Sequence, residues 1–223
     1  MTKKAIAGLV LQTLFAFGAL FAGWGFDDLP GFFAHPARAG LIVVALATLV
    51  WVIAWRLDPQ PFRRGTKPVG WQRLGLVLLL FFSLALVFFL SHADRGSLLT
   101  FDGAAFLRYV GLALYAGGNV ISFYALRTLG RQYSGYVTLQ DQHQLVTTGI
   151  YGVIRHPIYL RLLLVSLGLP LLFRSWLAVP ALALGAWFAS YRIGREEELL
   201  TEQFAEKYLD YCRRTRRLVP YLY

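Results

Sequence analysis

Apolar positions fall into four nearly uninterrupted runs, roughly 5–26, 37–55, 74–90 and 106–126, each near the length of about 20 residues that a membrane-spanning helix needs. A fifth apolar block, 158–193, is interrupted by "PLLFRSWLAVP". There Pro170, Arg174 and Pro180 predict two helices joined by a tight turn, a helical hairpin. Beyond it, Leu199, Leu200, Phe204, Tyr208 and Tyr211 recur at helical spacing, so the last helix is expected to leave the membrane and continue as a cytoplasmic amphipathic segment. The predicted fold class is an all-α integral membrane protein of about six membrane helices, including the C-terminal hairpin. With no internal repeat or low-complexity linker, the chain reads as a single domain over 1–223, divided into N-terminal membrane helices at 1–129 and a functional core at 130–223.

Composition supports the membrane class: 57% of the 223 residues are hydrophobic, 16% are aromatic, and the mean hydropathy is +0.53. The net charge of +10 suggests nucleic acid at first sight. The basic residues lie mainly in loops beside apolar runs, where they set orientation and meet anionic lipid headgroups, so membrane lipids and no nucleic acid are the expected partners. The one cysteine, Cys212, excludes an internal disulfide, and no clustered metal-ligand pattern is visible. The first run follows Lys3 and Lys4 but is longer than a signal-peptide core and lacks a small-x-small cleavage site before Gly25, so it reads as a retained helix.

Charge distribution predicts sidedness. The interval after the second run carries Arg56, Arg63, Arg64, Lys67 and Arg73, whereas the one after the first carries Asp27, Asp28 and only Arg38. The positive-inside bias then places both termini, the segment 127–157 and the tail after Arg192 on the cytoplasmic side. His35 and His92 fall on the outer side and read as interfacial. In the fourth run, Ala113 and Gly117 make a small-xxx-small face for close helix packing, with Asn119 as an interhelical hydrogen-bond candidate.

The segment 129–157 has no membrane-length apolar run, and a connection of this length in a compact protein is usually functional or disordered. "YVTLQ" favours short extended structure, and "TTGIYGVIRHP" carries turn glycines at Gly149 and Gly152 before a proline suited to the first turn of a helix. A helix starting at Pro157 presents free backbone N–H groups beside Arg155 and His156, a seat for a carboxylate or another anion. An interfacial anchor explains the same residues. Arg192 and Glu196 share one face at the exit of the last apolar run, either lining the same cavity or forming an ordinary i,i+4 surface pair. Glu197 and Glu198 read as solvated helix face.

The pattern "HQLVTTGIYGVIRHPIY", an apolar hairpin, then "RIGREEELLTEQFAEKYLDYCRRTRRLVP" resembles the isoprenylcysteine carboxyl methyltransferase family, which is related to membrane phospholipid methyltransferases. The resemblance covers 130–220. It implies a helical membrane fold with S-adenosyl-L-methionine in a cytoplasmic pocket closed by the RHPxY segment and the glutamate-bearing helix. Carried over by position, cofactor contacts fall on His143, Gln144, Leu145, Val146, Tyr151, His156, Pro157, Ile158, Tyr159 and Glu196, with Arg155 of the RHPxY segment grouped with them and Gln140 as the upstream glutamine. Arg192 matches the substrate-side arginine. Arg161 stands where the family usually has a small residue, and Ala205 replaces the glycine usual in "FGxxY". No dinucleotide-binding glycine fingerprint is implied, and none is visible.

The activity that the resemblance implies is methyl transfer to a carboxylate of a lipophilic acceptor. The protein's task is then to hold nucleophile and methyl in line and to exclude water. A carboxylate is already ionised, so Arg192 suffices to hold it. An amine acceptor, as in phosphatidylethanolamine-type N-methylation, has to shed a proton, which makes Glu196 and His156 candidate bases. A noncatalytic scaffold or lipid sensor is a further alternative, with Arg161 and Ala205 as its sequence support.

Overall fold

The computed structural model describes residues 3–55, 57, 72–102, 105–133 and 144–219. The described residues form eight α-helices: α1 (Lys3–Trp24), α2 (Leu29–Phe33), α3 (Pro36–Ala54), α4 (Gln72–Arg95), α5 (Ala105–Leu129), α6 (Pro157–Leu172), α7 (Ala178–Phe204) and α8 (Glu206–Arg214). No strand occurs among them; Thr100 with Ser175 and Ile154 with Arg216 are isolated bridges. Among the described residues four helical stretches are long and apolar enough to cross a membrane: Ala5–Trp24, Pro36–Ala54, Val77–Arg95 and Ala105–Leu129. They answer to the four runs in the sequence. The fifth block divides into α6 and α7, but α6 has only 16 residues and α7 continues to Phe204.

The division does not fall at the prolines. Pro170 lies inside α6 and Pro180 inside the first turn of α7. Between them Arg174 adopts φ 52, a left-handed cap that reverses the chain. The interval after α1, expected as a plain loop, contains α2, with Asp28 capping the Gly31 N–H at 3.0 Å and Phe32 fully buried. Phe32 meets Trp24 and Phe21 edge-on and joins Leu20, Leu41, Leu90, Leu172 and Phe173 in the core at this end of the bundle.

That end also buries charge. Arg38, counted in the sequence as a loop residue, is 8% exposed and donates to Asp94 Oδ2 at 2.9 Å. Arg108 makes two bonds to the same carboxylate, at 2.8 and 2.7 Å, and Arg174 approaches it at 3.3 Å. The remaining donors meet backbone carbonyls, Phe32 and Gly31 for Arg38 and Leu172 for Arg108. One carboxylate thus ties α3, α4, α5 and the α6–α7 turn together. The two nearby histidines are structural: His35 Nδ1 accepts from Ala37 N at 3.2 Å, and His92 lies 3.3 Å from the Gly23 carbonyl.

The most extensive helix contact among the described elements is α5 against α6. Its close-packing face is Gly111, Gly118 and Ala125, all buried and spaced by heptads, rather than Ala113 and Gly117. A Cβ on Gly111 would fall 2.5 Å from the Gly168 carbonyl oxygen, and one on Gly168 would fall 2.8 Å from that of Gly111. A Cβ on Gly117 meets nothing within 4 Å, and Ala113 is exposed. The reason is periodicity: a seam between two antiparallel helices follows the seven-residue repeat. Asn119 is buried, but its amide donates to Tyr115 O of its own helix at 2.8 Å rather than to a neighbouring helix. Gly111→Ala is therefore expected to lower stability by about 1–3 kcal/mol. Gly117→Ala should be neutral or stabilising by up to about 1 kcal/mol through helix propensity. Thermal unfolding of both variants in one detergent checks the register; equal behaviour would refute it.

The same crossing sets the depth of α6. From Gly168 back to Pro157 the helix is shorter than the stretch from Gly111 to Leu129, and at about 1.5 Å per residue α6 begins about 10 Å short of the end of α5. Helix α7, which packs against α6 at Gly185 and Ser166, runs about 15 Å beyond that point. The N-terminus of α6 is consequently recessed between two longer helices.

Candidate functional site

The recess is built from local signals first. Pro157 opens α6 with His156 as its N-cap residue, and the 3-10 turn Gly149–Gly152 precedes it. Gly149 has φ 59, and a Cβ there would lie 2.9 Å from Thr128 Oγ1, so glycine permits both the turn and its close approach to the end of α5. The following backbone pairs with the tail. Arg155 N donates to Arg216 O at 2.7 Å, His156 N to Arg217 O at 3.0 Å, and Arg216 N to Val153 O at 3.1 Å.

The tail reaches this position because the chain breaks after α7. Ala205 has φ 43 and ψ −124, a conformation that favours glycine and costs another residue about 1–3 kcal/mol, which gives the usual glycine of "FGxxY" a physical reason. The expected continuous helix is thus two helices, and α8 turns its buried face, Tyr208 and Tyr211, toward the protein. The Tyr211 hydroxyl donates to the Tyr151 carbonyl at 2.7 Å.

Glu197 overturns the reading of that position as solvated surface. Its side chain is 14% exposed and accepts from Arg217 Nη2 at 2.7 Å, His156 Nε2 at 3.2 Å and Arg155 Nε at 3.3 Å. Burial works against its charge, but the hydrogen bonds from His156 and Arg217 prevail and hold its pKa at about 2, down from the ordinary 4.5. Glu198 does face solvent, paired with Arg195. Arg155, grouped with the cofactor contacts and offered as part of an open anion seat, directs its guanidinium to Glu197, Cys212 O and Thr215 O, the last at 2.7 Å.

His156 is 4% exposed and lies between two adjacent carboxylates. Since ionised Glu197 only accepts, Nε2 carries a proton toward it, and Nδ1 lies on the other side of the ring, 4.0 Å from Glu196 Oε2. Tyr159 stands edge-on to His156, and its hydroxyl accepts from Arg192 Nε at 3.1 Å. Tyr151 is buried; burial raises its phenol pKa, with Glu196 adding to the effect and Tyr133 and Tyr159 close by. Tyr133 is shifted up by burial as well, opposed by Arg161 and Arg192 and reinforced by Glu196. Three phenols and His156 therefore lie near Glu196, whose side chain is 38% exposed, with Arg192 one helical turn before it on α7.

Pro157 is buried, Ile158, Leu145 and Val146 are half-buried, and Gln144 is exposed. Gln140 and His143 lie outside the described residues, as does "YVTLQ". Sequence reasoning missed Glu197, Arg217 and Tyr133. Three successive glutamates did carry a signal, since residues 100° apart on a helix cannot all face water when one side is covered.

Residues 106–207 match the family model described as phospholipid methyltransferase. Among similar curated proteins, a probable protein-S-isoprenylcysteine O-methyltransferase from Oryza sativa subsp. japonica is 33% identical over 120 residues, covering 52% of this chain and 63% of the relative. The protein-S-isoprenylcysteine O-methyltransferase of Xenopus laevis is 33% identical over 119 residues, covering 52% of this chain and 41% of the relative. That of Dictyostelium discoideum is 27% identical over 179 residues, covering 78% and 71%. The chain thus spans less than two thirds of the length of the rice and frog relatives.

Proposed function

We propose that this chain, which carries a phospholipid methyltransferase-type domain over residues 106–207, is an integral membrane methyltransferase that uses S-adenosyl-L-methionine to methylate a carboxylate of a lipophilic acceptor. The observation that carries the reading is the recessed cluster in which Glu196 is surrounded by His156, Tyr159, Arg192 and two further phenols.

The donor set fits the cofactor. A carboxylate amid electron-rich aromatic rings suits a molecule bearing sulfonium and ammonium charges. Gln144, Leu145, Val146, Tyr151, Arg155, His156, Pro157, Ile158, Tyr159 and Glu196 are the residues assigned to hold it, with Gln140 and His143 from the neighbouring segment. Arg155 acts in this set through Glu197 and the tail, which it fixes behind His156. When bound, the cofactor supplies an electrophilic methyl group whose transfer to an ionised carboxylate oxygen requires no proton movement. Arg192 orients the acceptor carboxylate, and Tyr159 holds the guanidinium in position. An amine acceptor instead requires a base; His156 Nδ1, turned toward Glu196, is the group the geometry favours for that second reading.

Arg192→Ala is expected to lower acceptor kcat/KM by about one to two orders of magnitude, the loss of a charge-assisted contact of about 1.5–3 kcal/mol. Cofactor affinity should stay near wild type, and Arg192→Lys should restore part of the rate. Glu196→Gln should instead weaken cofactor binding measured by calorimetry. Normal acceptor methylation by Arg192→Ala, or parallel loss of cofactor affinity, would sink the carboxylate clamp and favour the amine reading.

The proposed topology has six crossings, with α6 and α7 as a hairpin that enters from the cytoplasmic side and turns at the outer side, and with the site, both termini and amphipathic α8 in the cytoplasm. Single cysteines introduced into the tail, on a background lacking Cys212, should resist an impermeant reagent in intact cells. Labelling from outside reverses the assignment.

A further inference from the structure

Arg161 is a charged residue at membrane depth that neither the tail contacts nor the methyl-transfer step described above explains. It follows Pro157 by four residues on α6, so it lies one helical turn, about 6 Å, further into the bundle than the start of that helix beside His156. Its backbone carbonyl packs against Gly118 of α5, 3.4 Å from where a Cβ would stand. Its side chain is within electrostatic reach of Tyr115 on α5 and of Tyr133 at the recess. Its Nε is shut off from solvent and has no hydrogen-bond partner among the described residues. A buried N–H on a charged group is costly to leave without an acceptor, and here it stands near Tyr133 at the recess to which the proposed function assigns ligand binding.

The charges around the chamber point the same way. Glu197 is matched by Arg155 and Arg217. Among the described residues Glu196 is the remaining carboxylate at the recess, and Arg192 already stands one turn before it on α7. Arg161 therefore adds a second cation to this chamber. Depth separates the ligands that can use it. A water-soluble cofactor enters from the side of residues 144–156, whereas an amphiphile whose apolar part stays in lipid passes the level of Arg161.

We propose that Arg161 sets acceptor specificity by receiving a second anionic group, so that the preferred acceptor is an amphiphile with two anionic centres, one methylated near Arg192 and one held by Arg161. The proposal rests on the methyl-transfer reading of the chamber. A guanidinium offers a planar pair of donors, so carboxylate and phosphate both fit, and an ammonium headgroup at this level is repelled.

The test uses the full chain in detergent with two amphiphiles of nearly equal shape, N-palmitoyl glutamate with two carboxylates and N-palmitoyl glutamine with one. Calorimetry with each is run beside calorimetry with S-adenosyl-L-methionine, and methyl transfer to each is followed separately. Wild-type protein should bind the glutamate amphiphile about tenfold more tightly, the effect of one charge-assisted contact. Arg161→Gln should abolish the preference and Arg161→Lys should keep part of it, both at unchanged cofactor affinity. If Arg161→Gln does not fold, a reduced preference in Arg161→Lys carries the same information. Equal binding of the two amphiphiles by wild type, or a preference that survives in Arg161→Gln, overturns the proposal. A wild-type protein that binds no S-adenosyl-L-methionine overturns the methyltransferase reading beneath it, a result separable from loss of amphiphile selectivity.

Discussion

Asp94→Asn should be the most destabilising single change at the buried end of the bundle, costing about 3–5 kcal/mol. The carboxylate is fully buried, and its partners Arg38 and Arg108 have side chains 10% and 6% exposed, so the variant leaves guanidinium charges in a low-dielectric site. Backbone carbonyls of Phe32, Gly31 and Leu172 remain as acceptors but carry no net charge. For a protein of this size the loss corresponds to a fall in Tm of about 10 °C. Arg38→Met should cost less, because Asp94 keeps Arg108 and Arg174. Thermal unfolding of both variants in one detergent is the measurement; a Tm for Asp94→Asn at the wild-type value would show that the cluster does not hold the helices together.

Glu197→Gln should release the tail and disable the recess while leaving α1 to α5 folded. The variant keeps the side chain's shape and one acceptor but removes the charge that Arg155, Arg217 and His156 share. The folded-state pKa of about 2 against an ordinary 4.5 sets the expected size, about 3 kcal/mol, and the pH window. Because the folded value is depressed, this stabilisation is fully present above 4.5 and is lost as pH falls toward 2. Wild-type protein should therefore show an acid-induced rise in tail proteolysis across that interval. Glu197→Gln should be cleaved readily at neutral pH, without the acid step, and should bind S-adenosyl-L-methionine poorly because His156 has lost its fixed orientation. Protection of the tail equal to wild type in this variant would mean that the backbone pairing of 153–156 with 216–217 suffices alone.

The Gly111 and Gly118 seam connects these two ends. It brings α6 against α5 in a register that places Arg161 beside Gly118 and leaves His156 recessed, so the site inherits its depth from a crossing two to three turns away.

What the sequence determined by itself is what depends on near neighbours. Long apolar runs fold as helices wherever they fall, because a bilayer leaves no other partner for the backbone, and the helices at 3–24, 36–54, 72–95 and 105–129 follow those runs closely. The start of α6 at Pro157 was legible because proline fixes φ and lacks a donor. The spacing of Arg192 and Glu196 offered a cavity shared with His156 as one of two readings, and only the family resemblance favoured it and added Tyr159, since no local rule links the two helices. Tertiary structure alone decided which charges were buried. Arg38 and Asp94 meet across 56 positions, His156 and Glu197 across 41, and Glu197 and Arg217 across 20, separations at which periodicity carries no information. Composition shows that Arg38 and Glu197 are charged, but whether such a residue faces water or anchors a network depends on the partner that packing delivers.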